Sequence, residues 1–288
     1  MSDRLNVLKQ LLQSLDLDTF LTKNFSRLPL AIPAAALGFS HLLDWAVVEE
    51  VINKKKSSLR IVKDGKMIKD YADITYAEAE KFYQAGNTLL LKNAELSHKS
   101  LANLADDFAA SFHTKVDIQL YCTPEKNNAF GWHYDVEEVF IIQTKGSKLY
   151  SLRQNTVHPN PVVSSIPKDL GYEKETSELE IKVLLKKGDW LYIPSGWWHI
   201  AKTQEESMHI SIGLMPRSAL DIINFLPQFL SDSAFWRTRM PVHKKFLNPE
   251  EEIYFYQEAM AKFGKELESK LSNKIFMREF LASINKSF

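Results

Sequence analysis

The chain has 288 residues, 45% hydrophobic and 25% charged, the balance of a globular protein with enough length for one large domain or two smaller ones. Lys plus Arg number 36, as do Asp plus Glu, so the net charge is zero and nucleic acid is not gripped by bulk charge. A single cysteine, Cys122, excludes an intrachain disulfide framework and a thiolate cluster, and leaves His, Asp and Glu as possible metal ligands.

Met1 to Leu17 mix charges into an apolar pattern, with no apolar run long enough for a leader or a bilayer span, which predicts a cytoplasmic protein. Leu5, Leu8, Leu11, Leu12, Leu15 and Leu17 predict one amphipathic helix over 3–22. Leu28 to Ile32 reads as a short strand. A helix follows over Leu42–Asn53, with Asp44 as its cap. Leu59 to Ile68 reads as a hairpin turning at Asp64-Gly65. Helices are predicted over Tyr76–Ala85 and Ser97–Phe112, with the strand Thr88–Leu91 between them.

Near Val116 the texture changes. Short strands are predicted at Val116–Cys122, Glu138–Thr144, Lys148–Arg153, Ile181–Leu185, Asp189–Ile193 and His209–Leu214, with turns such as Lys145-Gly146 and Pro194-Ser195-Gly196 between them. That rhythm indicates a barrel or sandwich. Asn155 to Glu180, with Pro159, Pro161 and Pro167, has no strand pattern and reads as a long insertion. After Pro216 helices return at Ala219–Leu230, Pro249–Leu271 and Lys274–Ile284. The expected organisation is therefore N-terminal α/β elements over 1–115, a β core over 116–216 and a helical region over 217–288. Apolar stripes on those last helices exceed what one small barrel covers, so a homodimer is expected.

The chemistry sits in the β-region. His133 and Asp135 are two apart, and residues i and i+2 of a strand share a face, so both can meet one metal. His-x-Asp by itself is common by chance. His199 adds a third ligand after a Pro-Gly turn that aims it, and two imidazoles plus one carboxylate form the facial set used by mononuclear non-haem iron. His209, on a strand of the same region, reads first as a core or supporting residue. Lys148 either faces solvent or points into the barrel, where an unpaired cation needs an anion such as a dicarboxylate. Tyr121 either packs in the core or donates a hydrogen bond to that same carboxylate.

These motifs carry a family resemblance. Tyr121-Cys-Thr-Pro, His133-Tyr-Asp, Glu138-Val-Phe-Ile-Ile-Gln, Gly146-Ser-Lys148 and Gly188-Asp-Trp-Leu-Tyr-Ile-Pro-Ser-Gly-Trp-Trp-His199 resemble the JmjC-type cupin oxygenases, above all their ribosomal-oxygenase branch. Phe20 to Ile32, Gly86 to Leu91 and Phe235 to Pro241 are similar to that branch as well. The resemblance implies a mainly β fold, a double-stranded β-helix or cupin jelly roll, with flanking helices. It implies Fe(II), 2-oxoglutarate and O2 as metal and cosubstrates. It assigns His133, Asp135 and His199 to the metal, Lys148 to the distal carboxylate of 2-oxoglutarate, and Tyr121 to a hydrogen bond on it. The implied activity is hydroxylation of a protein or peptide side chain, ribosomal proteins included, with succinate and CO2 as coproducts; a small-molecule substrate is a further option. One departure stands out: the turn before His199 reads Pro-Ser-Gly where the family often has Pro-Arg-Gly. A cupin isomerase or metal-dependent hydrolase is the alternative enzyme, with no use for Lys148. A non-catalytic cupin binding module is the third reading.

Overall fold

The computed structural model describes residues 7–125, 127, 130–163, 179–215, 218–239 and 248–285. Most of the insertion predicted over Asn155–Glu180 lies outside them, as do Met240 and Pro241 of the segment that resembles the ribosomal branch. The chain divides into two compact units, Met1–Pro216 and Arg217–Phe288.

In the first unit, helices α1 (Val7–Leu12) and α2 (Leu17–Lys23) replace the single helix expected over 3–22. Gln13 turns left-handed, with φ 52°, and Asp16 caps the second helix by accepting the Thr19 N–H at 2.9 Å. The cap redirects the chain, so Phe20 is buried while Leu17, placed on the apolar face by its spacing, is exposed. Strand β1 (Leu30–Ile32) follows, then a 3-10 turn over Leu37–Leu42. Helix α3 (Trp45–Asn53) starts where expected, Asp44 accepting the Val47 N–H at 3.0 Å. Strands β2 (Ser58–Lys63) and β3 (Lys66–Tyr71) form the Asp64-Gly65 hairpin. Thr75 and Glu78 cap each other's backbone at the start of α4 (Tyr76–Gln84). Strand β4 (Thr88–Lys92) and helix α5 (Lys99–Phe112) complete the N-terminal elements.

The β core contributes β5 (Val116–Thr123), β6 (Glu138–Lys145), β7 (Ser147–Arg153), β8 (Ile181–Lys186), β9 (Trp190–Ile193), β10 (Trp198–Thr203) and β11 (Ser207–Leu214). They pair into two antiparallel sheets. One has eight strands in the order β1-β9-β6-β11-β5-β4-β2-β3, the other three in the order β10-β7-β8. This is the jelly roll that the resemblance implies, and the N-terminal strands β2 to β4 extend its larger sheet.

Both faces of the large sheet are occupied, and strand alternation decides what each carries. Ile118, Leu120, Cys122, Phe140, Ile142, Trp190, Tyr192, Ile210 and Ile212 join the core built with helices α1 to α5. Val139, Ile141, Leu191 and Ile193 point the other way and pack with Tyr150, Leu152, Leu185 and Trp197 from the small-sheet side. Beside them on that inner face lie the polar residues Tyr121, His209 and Ser211.

The second unit holds α6 (Ala219–Leu230), α7 (Pro249–Leu271) and α8 (Lys274–Asn285). Leu226, Leu230 and Phe276 form its small core, with Phe225 and Phe229 packed on it. Helix α7 is 23 residues long; Leu267 and Leu271 pack on this core, while Ile253, Tyr254 and Met260 are exposed.

The turn from β6 to β7 is unusually constrained. Gly146 has φ +64°, and a Cβ placed there would come within 2.0 Å of the Glu206 carbonyl oxygen. Gly146→Ala is therefore expected to destabilise the first unit by about 2 kcal/mol or more, combining left-handed strain with a backbone clash. Urea unfolding should show a lower midpoint with an unchanged slope.

Candidate metal centre

His133 and His199 face each other as an isolated antiparallel bridge. The His133 N–H donates to the His199 carbonyl at 3.1 Å, and the His199 N–H returns the bond at 2.8 Å. Two further bonds lace the segments together: Gly196 N–H to the Asp135 carbonyl at 2.8 Å and Ser195 Oγ to the Val136 carbonyl at 2.8 Å. Gly196 must be glycine here, because its φ is +81° and a Cβ would meet Pro161 Cδ at 2.7 Å. Ser195, the departure from Pro-Arg-Gly, thus has a local structural task.

Buried Glu138 anchors the same corner. Its carboxylate accepts from Ser26 Oγ at 2.6 Å, from the Ser195 N–H at 3.2 Å and from the Tyr192 hydroxyl. It ties the segment after α2 to the turn before His199. Asp189 plays a comparable part at the next turn, accepting from the N–H groups of Ala34 at 2.8 Å and Lys186 at 2.7 Å.

This lacing brings one ligand atom each from His133, Asp135 and His199 within 4.8 Å of one another. His199 Nε2 lies 3.5 Å from Asp135 Oδ2. Each imidazole is oriented by its other nitrogen. His133 Nδ1 is 2.8 Å from the Gly131 carbonyl, and His199 Nδ1 is 3.0 Å from the Trp197 carbonyl. A carbonyl only accepts, so both Nδ1 atoms carry the proton and both Nε2 lone pairs are free for a cation. Burial, followed by the neighbouring His133, pushes His199 down to about 4 against the opposing pull of Asp135, so it is neutral at physiological pH. Two neutral nitrogens and one anionic oxygen suit a divalent first-row metal.

The three groups border a cavity between the two sheets. Tyr121, Val139, Ile141, His209 and Ser211 line it from the large sheet, and Lys148, Tyr150, His199 and Ala201 from the small one. Lys148 is 1% exposed, which settles its orientation: it points inward. Its Nζ donates to Thr123 Oγ1 at 2.9 Å and sits 3.3 Å from His209 Nδ1. Among the described residues no carboxylate pairs with it. Burial pushes the ammonium down to about 7, and His209 is held well below its usual value by burial and then by Lys148.

Tyr121 also lines the cavity, but its hydroxyl lies 3.3 Å from Gln119 Oε1 and its ring stacks on His209 at 4.5 Å. His209 is thus a cavity residue holding both Lys148 and Tyr121, a part its strand position hinted at without deciding. Tyr150 and Thr123 escaped sequence reasoning. Alternation could have found them, since Tyr150 is two residues from Lys148 and Thr123 two from Tyr121. A wider groove of about 710 Å³ beside Leu37, His41, Trp45 and Lys187 has no such ligand set.

Residues 92–222 match the family model of the JmjC domain. The chain is 24% identical over 235 residues to a Drosophila persimilis protein named bifunctional lysine-specific demethylase and histidyl-hydroxylase NO66, covering 77% of this chain and 33% of that one. It is 31% identical over 142 residues to the Drosophila melanogaster protein of the same name, covering 48% and 21%. The chain thus spans a third or less of these relatives. Among solved structures it resembles YcfD, a ribosomal oxygenase from Escherichia coli, with TM-score 0.61, 18% identity and coverage of 94% of this chain and 71% of that one. The same protein in complex with cobalt and 2-oxoglutarate gives TM-score 0.58 at 17% identity, with the same coverage. These structures share the fold.

The Lys148 environment carries a pH dependence. In the ligand-free protein the ammonium loses its proton through about 7, and a bound carboxylate favours the protonated form. Affinity of the cavity for a dicarboxylate is therefore expected to be greatest below that point and to fall by up to about tenfold per pH unit above it. Calorimetric titrations between about pH 6 and about pH 9 check this; Lys148→Met should bind weakly and lose the dependence.

Proposed function

We propose, for a chain whose residues 92–222 match the JmjC-domain family model, the activity of an Fe(II)- and 2-oxoglutarate-dependent oxygenase that hydroxylates a protein or peptide side chain, with succinate and CO2 as coproducts. One observation carries this reading: a cavity bordered by His133, Asp135 and His199 also holds a buried cation, Lys148, whose described neighbours include no carboxylate. The lysine separates the proposal from a cupin isomerase or hydrolase, which would leave that cation uncompensated. The intact ligand set speaks against a purely structural module.

Iron bound there supplies the oxidising chemistry. The protein's own work is positional. The Gly131 and Trp197 carbonyls keep both imidazoles in the ligating tautomer. Lys148, held by Thr123 and His209, offers a fixed positive charge to the far carboxylate of 2-oxoglutarate. Val139, Ile141 and Ala201 give the cavity apolar walls that limit water.

The names of the relatives support the substrate class. One kind is called a histidyl-hydroxylase, the other a ribosomal oxygenase, so ribosomal proteins stand first among candidate substrates. The buried, unpaired Cys122 supports a reducing, cytoplasmic setting. We also propose a homodimer formed through the second unit. The 23-residue helix α7 packs Leu267 and Leu271 on its unit's own core but exposes Ile253, Tyr254 and Met260, which supports a second copy as their cover.

The purified protein is expected to bind iron and to form succinate from 2-oxoglutarate with ascorbate present, while His133→Ala loses iron and turnover without unfolding. Failure of the wild type to bind iron overturns the oxygenase reading. Light scattering should give twice the 33.1 kDa of one chain; a monomer at every concentration refutes the dimer.

A further inference from the structure

We propose that the Tyr150 hydroxyl is a second donor, beside Lys148, to the distal carboxylate of 2-oxoglutarate; the assignment rests on the oxygenase reading above. Tyr150 is 2% exposed and lines the cavity. Its Oη is buried without a hydrogen-bond partner. Of the described residues with such an orphaned side-chain atom, Tyr150 is the one that lines this cavity. A buried hydroxyl without a partner costs about 1–3 kcal/mol, and an orphan facing a ligand cavity is explained when the ligand accepts from it.

The ladder between β7 and β10 places it on the path of the ligand. Leu152 pairs with His199, Tyr150 with Ala201 and Lys148 with Thr203. From His199 at the metal end to the rung of Lys148 is four residues along β10, roughly 13 Å of strand. Tyr150 occupies the rung between them. The residue opposite it is alanine, which leaves space above the sheet for a chain running from the metal towards Lys148. Tyr121, the hydroxyl first assigned to this carboxylate, is already engaged with Gln119 and stacked on His209. Burial raises the Tyr150 phenol above its usual value, so it keeps the proton it would donate.

The test uses the full chain loaded with Mn(II) in the absence of a reductant, so that binding is read without turnover. Calorimetry compares 2-oxoglutarate with 2-oxopentanoate, which has the same chain length but a methyl group in place of the distal carboxylate. Tyr150→Phe should weaken 2-oxoglutarate by about tenfold or more, the loss of one hydrogen bond to a charged group. Binding of 2-oxopentanoate should stay within about twofold, because no bond to it is lost. Metal content should be unchanged, and the melting temperature equal or higher, since the substitution removes an orphaned polar atom. Wild-type binding that Tyr150→Phe leaves intact, or an equal loss for both acids, overturns the proposal while the oxygenase reading stands. No binding of 2-oxoglutarate by the loaded wild type overturns the oxygenase reading itself, and this assignment with it.

Discussion

The two backbone hydrogen bonds exchanged by His133 and His199 are the constraint on which the site depends. They join segments 66 residues apart (199 − 133 = 66) through an isolated bridge, in which His199 belongs to β10 but His133 belongs to no strand. A side chain aimed by one residue of backbone is easily misaimed. The pair is therefore backed by Gly196 on the Asp135 carbonyl, Ser195 on the Val136 carbonyl, and Glu138 beneath the turn. Once the strand ends are locked, the Nδ1 bonds to Gly131 and Trp197 leave each imidazole little rotational choice. Backbone bonds thus fix the direction of both imidazoles.

Placing a cation in the interior has a cost that shapes the rest of the cavity. Lys148 is nearly fully buried, and its hydrogen-bond partners among the described residues, Thr123 and His209, are neutral. Desolvation then lowers its proton affinity. An arriving carboxylate reverses this, because attraction between the charges is strong where water is scarce. The same lysine that weakens the empty cavity is thus a reason for a dianionic ligand to bind there. His209 tolerates its neighbour by staying neutral and by stacking on Tyr121, which keeps three polar side chains in one fixed layer.

The flanking elements serve the cavity from behind. Helices α1 to α5 cover the outer face of the large sheet, where Phe20, Phe108, Phe140 and Tyr192 pack ring against ring. With that face dry, the inner face can carry polar residues without the sheet losing its core. Tyr192 packs its ring among those aromatics while its hydroxyl reaches Glu138. The second unit has a separate small core around Phe276, on which the C-terminal end of α7 packs through Leu267 and Leu271.

Much of this was legible in the chain itself. Residue spacing located most strands and helices to within a few positions, because period-two and period-3.6 patterns are local. The ligand types were legible too, since His-x-Asp and a histidine after a Pro-Gly turn need no tertiary information to suggest metal chemistry, although His133 and Asp135 lie before β6 and not on a strand. The break at Gln13 was missed because leucine spacing continues through it, while the Asp16 cap overrides the pattern. The two-sided burial of β5 and β11 was also hidden, as a strand with one polar face looks the same whether that face meets water or a cavity. Only the pairing of the small sheet against the large one decided that Lys148 points inward, that Tyr150 stands between it and His199, and that Tyr121 is already engaged. Those facts depend on which strands lie opposite each other across the barrel, and that arrangement is set by long-range packing, which no local pattern encodes.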